Sequence, residues 1–262
     1  DGEGDGWNVV VTASNTANLG FGQAPTDILV SGGLNAILGD GDAGNDIKVT
    51  SGTGFAHLTG TGTAGNDIKI DASTGTDALL ATGTAGNDIQ VLAGTDVDLG
   101  TGLAGHNVEL TATTATAGSV MATSARAGND VTVNANGAAT VTFAEATGFK
   151  LKADLSGFDT ATPAIDAEAD GSNVAVTAGG IADVTTLTAK RDVTVMALSV
   201  TGNAGTGGTL TAGDDVRVTA TGGSATVASA TSTGADTDGE GDGWNVVVTA
   251  SNTANLGFGQ AP

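Results

Sequence analysis

A short motif recurs along this chain at nearly constant spacing, and no other feature limits the possible fold so tightly. It reads AGNDIKV at Ala43, AGNDIKI at Ala64, AGNDIQV at Ala85, AGHNVEL at Ala104, AGNDVTV at Ala127 and AGDDVRV at Ala212. Taking the first apolar residue of each copy and of its weaker relatives gives the markers Val9, Ile28, Ile47, Ile68, Ile89, Val108, Val131, Phe149, Val174, Val193, Val216 and Val246. Most steps between markers are 19 to 23 residues, with longer ones of 25 and 30. A strand advances about 3.3 Å per residue, so one step traces a circuit of roughly 60 Å, enough for three short strands and their corners.

The marker and the residue two further on are apolar, as in Ile47 and Val49, Ile68 and Ile70, or Val131 and Val133, with Lys48, Lys69 or Thr132 between them. Period-two alternation predicts a strand with one buried face. Ala17, Leu19 and Phe21, or Val141 and Phe143, extend the alternation into a second segment of the coil. A unit this small cannot bury its apolar face alone, but stacking each coil on the next buries a continuous column. The expected fold is all-β: a right-handed parallel β-helix.

A longer period encloses the short one. Asp1 to Pro25 returns unchanged as Asp238 to Pro262, an offset of 237 residues. Recent tandem duplication is the simplest source of such identity. Residues 1–237 are then one superrepeat of eleven coils, rising roughly 53 Å at about 4.8 Å per coil. Residues 238–262 begin the next superrepeat, continuous with the first.

Composition agrees with a thin stacked interior. Glycine contributes 43 residues, aromatics are 3% and cysteine is absent, leaving little bulk for a thick core and no disulfides. Eight basic residues face 29 acidic ones, for a net charge of −21, which argues against nucleic acid and anionic membrane surfaces as partners. No apolar run reaches the roughly 18 residues of a membrane span, so no membrane insertion is expected of this segment.

The residue before the marker is Asn8, Asp27, Asp46, Asp67, Asp88, Asn107, Asp130, Asn173, Asp192 and Asp215 in ten coils, and Gly148 before Phe149. Asx side chains close corners by accepting backbone N–H groups two residues on. Stacked carboxylates about 4.8 Å apart also repel by roughly 0.9 kcal/mol in water, so this structural Asx ladder must be solvated, capped by N–H donors or bridged by cations. Asn45, Asn66 and Asn87, one position earlier, are expected to form an inward amide ladder.

The AGNDIKV, AGNDVTV and AGDDVRV units on a step near 19 residues resemble the repeats of filamentous haemagglutinin-type exoproteins secreted by the two-partner route. The resemblance covers nearly the whole chain and implies a long right-handed β-helix outside the cell. An exact superrepeat is more regular than a typical adhesin shaft and favours a structural filament.

The longest step contains Asp236, Asp238, Glu240 and Asp242, separated by Thr or Gly. Acids at alternate positions in a glycine-rich loop can wrap a hard cation, so this run is either a solvated loop or a calcium clasp. Its first copy supplies Asp1, Glu3 and Asp5. Trp7 and Trp244 adjoin the two copies, and are read as packing on a corner. Gly60 to Gly65 and Gly100 to Gly105 match G-x-G-x-x-G, yet no crossover helix follows to bind a dinucleotide. His57 and His106 lack metal-ligand spacing. Thr61, Thr63, Thr82 and Thr84 form Thr-x-Thr pairs on two coils only. Arg126, Lys190, Arg191 and Arg217 are scattered along the chain, which disfavours a polysaccharide-cleaving site.

The function expected is therefore an extracellular or cell-surface filament, not an enzyme, stacked end to end on itself, with lateral bundling and calcium as possible additions. The alternative is an adhesin shaft that holds glycans or neighbouring cells through coil loops such as Leu155 to Gly171 or Gly234 to Gly243.

Overall fold

The computed structural model describes residues 8–114, 118–163, 171–202, 208–234 and 245–262. Among the described residues the regular structure is all strand, and the chain winds as a parallel β-solenoid. Eleven five-residue strands, from Val9–Ala13 to Val246–Ala250, stack in one parallel sheet. Markers pair with markers throughout, as in Val9↔Ile28, Ile28↔Ile47 and Ile68↔Ile89. The second sheet stacks longer strands such as Thr16–Ala24 and Asn35–Ala43.

Each long strand is two arms joined at a corner. In Asn35–Ala43 the buried positions are Ala36, Leu38, Gly41 and Ala43, so Gly39 and Asp40 face outward in succession and the parity shifts. A coil therefore has three faces. The first is the marker strand, the second carries Ala36 and Leu38, and the third carries Gly41 and Ala43. The same shift corrects the expected inward alternation at Phe21, which is 62% exposed because Gly22 is the next inward residue after Leu19.

The core is compensated coil by coil. Where the first inward residue of the third face is Gly (Gly41, Gly62, Gly83 or Gly102), the second face contributes Leu38, Leu58, Leu80 or Leu99. Where the third face offers Ala144 or Leu187, the second offers Val141 or Val184 instead. A Cβ on Gly83 would lie 2.8 Å from Leu80 Cδ2 and 3.3 Å from Ile68 Cδ1, so two large side chains already fill the space at its centre. Close-packed interiors accept such exchanges only at constant volume.

Eleven marker strands make ten steps between Val9 and Val246, where eleven were expected. The difference lies at Phe149, which marks no coil: Val131 pairs directly with Val174. Phe149–Leu151 instead runs antiparallel to Phe158–Pro163, a hairpin outside the column. Gly148, at φ 70°, turns the chain out of the corner. It is also the one position before a marker that lacks an Asx side chain, and that exception was the visible signal.

Candidate functional site

The motif A-G-N-D-I can now be read position by position at the corner between the third and first faces. Ala43 is the last inward residue of the third face and Ile47 the first of the next coil's marker strand. The glycines stack without room for a side chain: a Cβ on Gly65, Gly86 or Gly105 would meet the carbonyl oxygen of the glycine one coil below at 2.0–2.1 Å.

The Asx residues form one column. Asn8, Asp27, Asp46, Asp67, Asp88, Asn107, Asp130, Asn173, Asp192 and Asp215 each accept, on Oδ1, the backbone N–H of the Asx residue one coil on, at 2.8–3.2 Å. Asn245 is the last donor. The acceptor therefore serves the next coil rather than an N–H two residues on in its own. In return, each marker N–H donates to the Asx carbonyl of the following coil, as Ile47 does to Asp67 at 2.9 Å. Side chain and backbone thus carry the hydrogen-bond ladder through a corner where plain strand pairing would lapse.

The preceding asparagines do not form an amide ladder with one another. Asn45, Asn66 and Asn87 donate from Nδ2 to Oδ1 of Asp27, Asp46 and Asp67 at 3.0–3.1 Å. Each of these carboxylate oxygens thus receives two donors from the coil above, which offsets the repulsion between stacked charges. His106 takes the asparagine's place in its coil, with Nδ1 3.4 Å from Asp88 Oδ1.

Elsewhere among the described residues four titrations are displaced: hydrogen bonds from Ser156 hold the Asp154 carboxyl low, those from Ala161 and Thr162 do the same for Asp159, and His57 and Asp71 shift as well. Burial drives the His57 imidazole below its ordinary value of 6.5, although Asp77 and Asp98 oppose the shift; its ring stacks on Phe55 at 4.3 Å. Burial pushes the Asp71 carboxyl up, but hydrogen bonds from the Ser73 hydroxyl and amide, with Lys69 nearby, bring it below 3.8. The glycines of the two G-x-G-x-x-G matches serve corners and the core, Gly62 and Gly102 facing inward. Thr61 pairs with Thr82 and Thr63 with Thr84 on the outer surface of two coils.

Asp236, Asp238, Glu240 and Asp242, their first copies Asp1, Glu3 and Asp5, and Trp7 and Trp244 lie outside the described residues. Among the described residues no three acidic or imidazole groups gather as metal ligands.

A second site had no sequence signature beyond the missing Asx at Gly148. The hairpin folds against the solenoid wall over several coils: Gly128 approaches the Phe149 carbonyl and Gly105 the Leu151 side chain. Between hairpin and wall runs a groove of ≈ 410 Å³. The Arg126 guanidinium lies 5.4 Å from the Phe158 ring and the Lys190 ammonium 5.8 Å from the Phe149 ring. Arg126 also pairs with Glu145 at 2.7 Å. Arg126 and Lys190, far apart in the chain, thus line one groove, while Arg191 is only 7% exposed in the corner beside it. Arg217 pairs with Asp215 elsewhere. No family model, no curated protein and no solved structure matches this chain.

Proposed function

We propose that the chain is the repeating unit of an extracellular structural filament, a shaft built by stacking successive superrepeats on one axis. One observation carries this reading. The second copy of the opening sequence adds to the column through Val216↔Val246, while the first copy receives its neighbour through Val9↔Ile28. The same residues therefore accept a coil on either side, and the junction between superrepeats needs no special geometry. The reading assigns no chemical turnover and attributes solubility to the net charge of −21.

The test is electron microscopy of a chain holding several superrepeats. Ten coils at about 4.8 Å give an axial period of about 48 Å; compact particles without that period would overturn the reading. The acidic run Asp236 to Asp242 is proposed to stabilise the filament by binding calcium. Calcium should then raise the melting temperature more than magnesium at equal ionic strength, and equal effects would reduce its role to charge screening.

A further inference from the structure

Cations gather around the hairpin of this strongly acidic protein, and two of them, Arg126 and Lys190, line its groove. Of eight Lys and Arg residues in the chain, Arg126, Lys150, Lys152, Lys190 and Arg191 belong to the hairpin or to the wall and corner beneath it. Among the described residues the acids of the groove and hairpin are Glu145, Asp154 and Asp159, while Asp166, Glu168 and Asp170 of the same excursion lie outside them. Arg126 is committed to Glu145. Lys190 is not: it is exposed, lies across Phe149 and has no carboxylate within ion-pair distance among the described residues. Thr160 and Thr188 also line the groove, and neither takes part in the hydrogen bonding that holds Thr147 to Ala127 and Phe149.

We infer that this groove binds the carboxylate-bearing sugar units of an acidic polysaccharide. The Lys190 ammonium receives the sugar carboxylate. Thr160, Thr188 and the outer oxygen lone pairs of Glu145 exchange hydrogen bonds with ring hydroxyls, while Phe149 and Phe158 offer apolar surface to the C–H face of the pyranose. The fixed Glu145 carboxylate separates this ligand from an acidic peptide. A uronide carries ring hydroxyls that can donate to Glu145 beside its single charge, whereas the side chains of an acidic peptide are carboxylates that only accept and meet Glu145 with repulsion. The inference does not depend on the filament reading, which stands or falls on the axial period.

Titration calorimetry with tetragalacturonate, neutral galactotetraose and tetraglutamate tests it on the whole chain. Tetragalacturonate should bind at least tenfold more tightly than either comparator and weaken as salt rises. Lys190→Gln should lower that affinity tenfold or more with the melting temperature unchanged. Thr188→Val, on the solenoid wall rather than the hairpin, should lower it about threefold and covers the case in which Lys190→Gln loosens the hairpin. Absence of binding, equal binding of the neutral sugar or of tetraglutamate, or full affinity in both variants would each overturn the assignment.

Discussion

At the scale of single residues, the corner column distinguishes what Asp and Asn share from what they do not. Both present an Oδ1 acceptor, and both occur in the column: Asn107 receives the Asp130 N–H just as Asp67 receives that of Asp88. Asp67→Asn should therefore change stability by no more than about 0.5 kcal/mol, since it keeps the acceptor and removes a repelling charge. Asp67→Ala strands the Asp88 N–H and the Asn87 amide, both of which donate to it, and should cost about 1–3 kcal/mol. Urea unfolding of the two variants measures the difference, and a large loss in the asparagine variant would show that charge, not acceptor geometry, sustains the corner. The core permits a parallel test. Gly83→Leu drives a side chain into Leu80 and Ile68 and should cost about 1–3 kcal/mol. Adding Leu80→Val reproduces the Val184 and Leu187 pairing of a later coil and should recover most of that loss.

Among the elements, the hairpin is a side excursion rather than a coil. Thr147 N–H donates to Ala127 O at 3.0 Å and Ser172 N–H to Asn129 Oδ1 at 3.1 Å, so the chain leaves and rejoins the column at one corner. Removing residues 148–171 would leave Ala146, Thr147, Ser172, Asn173 and Val174 in sequence, the same length as Ala43 to Ile47. That deletion should preserve the β circular dichroism signal and shift the melting temperature by only a few degrees. A collapse of the fold would mean that the hairpin supports the column it lies against. Most of the marker strands were legible because period-two alternation reports burial directly. The hairpin was not: Phe149 and Leu151 fit the alternation by spacing while pairing with Phe158–Pro163. The missing Asx at Gly148 was the only local sign, and its meaning depended on knowing that the side chain bonds the next coil.

Across the whole molecule, each coil pairs only with its neighbours, the hairpin apart, so stability is set mainly by nearest-neighbour pairing and falls at the ends. The coil markers from Ile47 to Val216 are fully buried, whereas Val9 and Val246 are only partly buried, and Ala254–Gln260 is exposed along its length. Amide exchange in this chain should be slowest near Ile68–Ala72 and Ile89–Ala93 and quickest in the two terminal coils. Uniform protection would indicate a cooperative unit larger than the coil. The sequence by itself determined the stacked-coil architecture, the marker column and the recurrent Asx position, because each is a periodic demand that every coil repeats. Only the tertiary structure decided the ten-step count, the direction of the Asx hydrogen bonds and the meeting of Arg126 with Lys190. Those depend on which coils become neighbours and where the chain leaves the column, and stacking turns separations of tens of residues into contact without leaving a local pattern.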